Sequence, residues 1–114
     1  MAECLFCRIA AGEIPATMVH QDEHVIAFKD INPQAPMHVL VVPRRHISTL
    51  NDLSPSDDQI VGEMIRCGAA IARAHGHADA GYRTIFNTNA GAGQTVFHIH
   101  LHVLGGRSLT WPPG

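Results

Sequence analysis

The chain has 114 residues, 46% of them hydrophobic, with a formal net charge of -2 and a pI near 6.5. That length fits one compact domain over 1–114, and the near-neutral balance offers no basic surface to hold a DNA or RNA backbone. The opening MAECLFCRIA has an acidic residue and no long apolar run, so neither a secretory leader nor a membrane span is expected, and three cysteines suit a reducing, cytoplasmic setting better than a disulfide framework.

In chain order, Cys4–Ala11 reads as a short helix, closed by Gly12 and by Ile14-Pro15, which cannot continue it. Extended segments follow. Val25–Phe28 reads as a strand ending in Lys29-Asp30. The turn-forming Asn32-Pro33 and Ala35-Pro36 separate it from the β-branched run His38–Val42, which Pro43 ends. Ser54-Pro55-Ser56-Asp57 starts a long helix, on which Ile60, Met64, Cys67 and Ile71 form one apolar stripe, and His75-Gly76 stops it. Tyr82–Phe86 is a fourth strand and Phe97–Leu104 a fifth, joined by the glycine-rich loop 87–95. The connections are too short for helical crossovers. The expected fold is therefore α+β: a five-stranded antiparallel sheet with one long and one short helix. An open edge strand makes a homodimer the expected assembly.

The richest segment is His98-Ile-His100-Leu-His102, followed by Val103 and Leu104. Apolar residues at 99, 101 and 103 alternate with the histidines, the period of a strand, so three rings share one face about 6.5–7 Å apart. A neutral imidazole is nucleophilic near pH 7 and needs orientation more than activation. His100, the central ring, is the candidate nucleophile, and the glycine-rich loop upstream can offer backbone N–H groups to a phosphate. The pattern points to phosphoryl or nucleotidyl transfer. Cys4-Leu-Phe-Cys7 has the spacing with which two thiolates grip one Zn²⁺, although it supplies only half of a tetrahedral site.

HIHLHVL resembles the His-x-His-x-His-x-x signature of the histidine triad (HIT) family. FKDINPQAPMHVLVVPRRHI, residues 28–47, resembles that family's second block, and GAGQTVFHIHLHVLGGR with WPPG resembles its Hint branch of nucleoside phosphoramidases. The resemblance covers nearly the whole chain. It implies a hydrolase acting in two steps on purine nucleoside 5′-phosphoramidates, such as AMP joined to an amine or a lysine. His100 would attack the α-phosphorus and hold the nucleotide covalently until water releases it, with no cofactor needed for the chemistry. His102 and His38 would contact phosphate oxygens. Gly93, Gln94 and Thr95 would close on the phosphate, Gln94 near an oxygen and the Thr95 hydroxyl assisting the leaving group. The family pattern has serine at 95; threonine keeps the hydroxyl but stiffens the side chain.

The same resemblance makes Asp30 a bidentate acceptor for both ribose hydroxyls, where the residues alone equally read as an Asx-turn. Asn87 would contact phosphate or ribose, or else be a turn asparagine. Ile31 would lie on the base, with Phe28, Leu5, Phe6, Ile9 and Leu40, each of which also reads as ordinary core. Trp111 would reach the partner subunit's site and shape substrate choice, or merely anchor the tail. Relatives with the cysteine pair imply a structural Zn²⁺ held by Cys4, Cys7, His46 and His98; the alternatives are a redox pair and two plain thiols. Cys67 reads as core, and His20, His24, His75 and His77 as solvated turn or helix-end residues. Two other activities fit less well: a dinucleoside polyphosphate hydrolase of the same fold, which WPPG disfavours, and a non-catalytic nucleotide-binding adaptor, which His100 disfavours.

Overall fold

The computed structural model describes residues 4–114. Helix α1 (Leu5–Ala10) leads into strands β1 (Met18–Gln21), β2 (Val25–Lys29) and β3 (Met37–Pro43). Helix α2 (Asp58–Ala74) follows, then β4 (Tyr82–Ile85) and β5 (Leu101–Gly105). The sheet runs β1-β2-β3-β5-β4 with every neighbouring pair antiparallel, which is the expected α+β architecture. No helix among the described residues is long and apolar enough to cross a membrane.

Strand alternation sorts the central strands into two faces. Met37, Val39 and Val41 of β3 and Leu101 and Val103 of β5 join Met64, Ile71 and Ala72 of α2 in the main core. Gly68 is the contact point of that helix, since a Cβ there would lie 3.0 Å from Val103 Cγ2 and 3.3 Å from Leu101 Cδ2. On the other face, Leu40 and Val42 pack with Ile26, Phe28 and Phe6 of α1. His38 and His102 belong to this second face by the same alternation.

The start of α2 is sharper than a simple N-cap. Ser54 and Asp57 form a capping box around a one-turn 3₁₀ helix at Pro55–Asp57, and Arg45 pairs with the Asp57 carboxylate. The helix stops where Gly76 takes a φ of +83°, the left-handed conformation that favours glycine.

The fifth strand is shorter than its hydrophobic period indicates. The expectation was 97–104, but the ladder begins at Leu101, paired with Val41, and ends at Gly105, paired with Met37. Residues 98–100 keep the alternation without the ladder, because Pro43 has no N–H to offer and its carbonyl is taken by His98. Ile99 instead donates its N–H to the Ile47 carbonyl at 2.7 Å. The histidine segment therefore joins the β3 ladder only at Leu101, and His98, ahead of it, turns to the Pro43 carbonyl apart from the other two rings.

Candidate active site

His38 on β3 and His102 on β5 lie diagonally across a strand pair, since His38 opposes Leu104 and Leu40 opposes His102. His38 Nε2 is 2.9 Å from His102 Nδ1. Which atom carries the proton follows from the backbone. The Gln34 N–H donates to His38 Nδ1 at 3.0 Å, so that nitrogen is an acceptor and the neutral ring keeps its proton on Nε2. Nε2–H then donates to His102 Nδ1, leaving His102 with its proton on the outer nitrogen, Nε2. His102 thus presents a donor to whatever occupies the site.

His100 has the opposite polarity. Its Nδ1–H donates to the His98 carbonyl at 2.8 Å, because a carbonyl can only accept, and the lone pair is left on Nε2. The His100 and His102 ring centroids are 5.0 Å apart, and Phe6 of α1 meets His100 edge-on at 5.0 Å. The site so pairs a nucleophilic nitrogen with a neighbouring N–H donor.

Burial holds these rings neutral. It pulls the His102 pKa down to about 4, with the neighbouring His100 and His38 adding to the effect. It also lowers the His38 and His100 values, against the Asp30 carboxylate, which raises both. Asp30 realises the Asx-turn, since its Oδ1 accepts from the Asn32 N–H at 2.8 Å. Its second oxygen faces the relay, 3.4 Å from His38 Nε2.

His98 belongs to a different constellation. Its Nε2–H donates to the Pro43 carbonyl at 2.6 Å, leaving Nδ1 as a bare acceptor. That nitrogen lies 3.4 Å from Cys4 Sγ and 3.5 Å from Cys7 Sγ, and His46 Nδ1 lies 3.3 Å from Cys7 Sγ. The four donor atoms fall within 4.8 Å of one another. Tetrahedral Zn²⁺ with ordinary Zn–S and Zn–N bonds separates sulfur from nitrogen by about 3.5 Å. The set fits the ion in donor type and spacing. The Cys7 N–H also donates to Cys4 Sγ, and Ser48 Oγ lies 3.3 Å from His46 Nε2. Asp30, His38 and His102 also converge, but the proton on His38 Nε2 makes them a hydrogen-bond relay rather than a metal set.

The glycine-rich loop departs from expectation at Gln94. This side chain is buried, and its amide is fully engaged within the chain. Its carbonyl accepts from the Asn89 N–H at 2.7 Å, and its nitrogen donates to the Ser48 and Val96 carbonyls at 2.8 and 3.1 Å. Gln94 staples the loop to the segment that follows His46, and a phosphate contact through its amide would require breaking one of those bonds. The staple also holds Asn89 at a φ of +67°. Gly93 and Thr95 are exposed, and Asn87 is half-buried at the head of the loop.

Phe6, Phe28 and Leu40 are core residues of the second face, not an open pocket wall, whereas Ile31 is fully exposed. Trp111 is 83% exposed, so it does not anchor the tail within this chain; Arg83 of β4 does that by donating to the Leu109 and Thr110 carbonyls at 3.2 and 2.9 Å. Cys67 is half-buried against the main core, its thiol pushed up to about 11 by burial. His20 pairs with Asp22, His24 with Glu63, and His75 Nδ1 with the Ile71 carbonyl. His77 differs from the expectation of a solvated residue, being half-buried against Gly105 and Gly106. A cavity of about 510 Å³ lies between β1 and α2, lined by Val19, Asp22, Glu63 and Ile71, away from His38, His100 and His102.

The HIT domain family model matches residues 11–109. The chain is 50% identical over 107 residues to an Escherichia coli K12 protein named purine nucleoside phosphoramidase, covering 94% of this chain and 90% of that protein. It is 45% identical over 105 residues to Protein HitA of Neisseria gonorrhoeae, covering 92% and 97%. Among solved structures, a HIT family hydrolase from Legionella pneumophila Philadelphia 1 superposes with a TM-score of 0.97 at 52% identity, covering 98% of this chain and 100% of that one. A histidine triad protein from Clostridium difficile gives 0.93 at 42% identity, covering 96% of each.

The low His102 value has a consequence for stability. Its folded pKa, about 4, lies below the unfolded value of about 6.5, so the unfolded chain binds the extra proton in between. Stability is full above that window and falls as pH drops from about 6.5 towards 4. In His102→Asn the unfolding free energy, followed by denaturant titration, should fall less steeply with acid, by up to about 1.4 kcal/mol per pH unit. An unchanged slope would show that His102 titrates normally in the fold.

Proposed function

The chain belongs to the HIT domain family, and on that premise we propose that it hydrolyses purine nucleoside 5′-phosphoramidates through a covalent nucleotide on His100. The observation that carries the reading is the opposed polarity of two adjacent rings: a lone pair on His100 Nε2 and a proton on His102 Nε2. The name of the Escherichia coli relative supports the substrate class.

In the first step His100 Nε2 attacks the α-phosphorus while the P–N bond to the amine breaks. The Thr95 hydroxyl stands on the leaving-group side and gives its proton to the departing amine; the water that enters in the second step returns one to it. His102 Nε2–H donates to a non-bridging oxygen as charge builds there, and His38 backs it from behind. Once bonded to phosphorus the His100 ring is cationic, and its Nδ1–H bond to the His98 carbonyl then strengthens. Water cleaves the second P–N bond, releases the nucleoside monophosphate and restores the ring. The exposed backbone around Gly93 lies where a phosphate would approach. Asn87 sits on the phosphate or ribose side, Gln94 supports the loop, Asp30 Oδ2 accepts from the ribose, and Ile31 lies against the base.

Cys4, Cys7, His46 and His98 would hold a structural Zn²⁺. Four protein ligands leave no open position, so the ion would supply a cross-link from α1 to the histidine segment and no reacting group. Reduced thiols in that role suit a cytoplasmic setting. The open edge of β4, beside a tail whose tryptophan is uncovered, suits a homodimer in which Trp111 reaches the partner's site.

His100→Ala should lower amine release from a fluorogenic AMP-amidate by about a thousandfold or more with little change in fold. Turnover equal to the unmutated protein would overturn the covalent mechanism on His100. Metal analysis of reduced protein purified without chelator should find about one zinc per chain, and chelation should lower the melting temperature; a clean absence of zinc would remove the ligand set. Sedimentation should give the mass of a dimer, and Trp111→Ala should change the ranking of phosphoramidates by kcat/KM. A monomer whose substrate ranking ignores Trp111 would contradict the assembly.

A further inference from the structure

The relay between His38 and His102 takes its direction from a main-chain N–H, that of Gln34, and a main-chain group is only as well aimed as the turn that carries it. Gln34 lies in Asp30–Pro36, between β2 and β3. Two bonds tighten this turn from within: Asn32 N–H to Asp30 Oδ1 at 2.8 Å, and Gln34 Nε2 to the Asn32 carbonyl at 3.0 Å. A third comes from outside. Arg107 Nε donates to the Gln34 carbonyl at 2.8 Å, while its Nη1 donates to the Ser108 carbonyl at 3.0 Å. Residue 34 is thus held on both sides of its Cα, the N–H on His38 and the carbonyl under Arg107.

The approach that allows this contact is built into the chain. Gly106 has a φ of +96°, and a Cβ there would lie 2.9 Å from Pro36 Cβ, so only glycine lets the end of β5 close against the turn. Arg107 follows directly, five residues beyond His102 on the same strand exit. A guanidinium held at two points has a fixed direction that a free surface arginine lacks.

We propose that Arg107 is a positioning residue for the transfer reaction: by holding the Gln34 carbonyl it keeps the Gln34 N–H on His38 Nδ1, and so decides which nitrogen of His102 carries the proton that faces the substrate. This inference rests on the reading of His38 and His102 as phosphate-side residues. If the Gln34 N–H swings away, His38 is free to move its proton to Nδ1. Its Nε2 then becomes an acceptor, His102 donates to it through Nδ1–H, and His102 Nε2 turns a lone pair towards the phosphate. One lost anchor inverts a donor into an acceptor at the reacting group, although Arg107 touches neither histidine.

The test is the ¹⁵N imidazole spectrum of the full-length protein, in which the protonated and bare nitrogens of each neutral ring are distinguishable, read together with phosphoramidase kinetics. In Arg107→Met the His38 signals should move from pure Nε2–H towards a mixture, and kcat should fall about three- to tenfold with KM nearly unchanged, the scale of one lost hydrogen bond. Arg107→Lys, which keeps a donor, should recover part of both. Gln34→Pro removes the N–H while leaving Arg107 in place and should reproduce the spectral change. A His38 ring still purely Nε2–H in Arg107→Met, a kcat unchanged beside a mixed ring, or a Gln34→Pro protein with the original spectrum would each overturn the assignment. The spectrum needs no substrate, so it judges Arg107 even if the phosphoramidase reading fails.

Discussion

The site depends on the way His98 is held. Its ring is fixed at both nitrogens, Nε2 by the Pro43 carbonyl at 2.6 Å and Nδ1 facing the sulfurs of Cys4 and Cys7. A ring fixed at both ends fixes its own backbone, and the His98 carbonyl is the acceptor that aims His100. The two functions expected of one histidine segment, scaffold and chemistry, thus meet in a single residue. His98 is fully buried, and burial pulls its pKa down to about 4, which keeps the ring neutral and Nδ1 open to a ligand. Helix α1, only six residues long, gains its place by the same junction: Cys4 and Cys7 face His98, and Phe6 lies edge-on to His98 and His100.

A second chain of contacts approaches from the opposite side. It begins at the turn before β3 and passes through His38 to His102. Both chains end in imidazoles of defined polarity, one bare and one protonated, and both start from main-chain groups rather than charged side chains. A backbone acceptor or donor cannot titrate, so the polarity is set over a wide pH range by the fold itself. The Asp30 carboxylate acts on both rings of the relay, and its pull on His38 and His102 opposes their burial without reversing it.

Much of this was legible in the sequence, for reasons that can be traced. Period-two alternation gave the two faces of β3 and β5, and the spacing of Met64 and Ile71 gave the core side of α2, because each depends on local geometry that side-chain type reports directly. The alternation could not show where the ladder stops. That depends on Pro43, which lies 58 positions before Leu101, where the ladder begins. The polarity of the rings was equally hidden, since it is written in main-chain bonds from Gln34, Pro43 and His98. Gln94 shows the converse: a residue type that suits phosphate contact is spent on three internal bonds. For Arg107 the only sequence signal is its place after Gly105-Gly106, which has no meaning until the turn at Pro36 is seen against it.

The contacts around His98 bear on one atom, the unprotonated Nε2 of His100. The most direct measurement is rapid quench of the enzyme with a nucleoside phosphoramidate under alkaline conditions that preserve P–N bonds, followed by peptide mass mapping. The account predicts a nucleotide adduct in the peptide containing 98–102, localised by fragmentation to His100 and formed and lost at rates that match turnover. An adduct on His98 or His102, or full turnover with no adduct on any histidine, would contradict it.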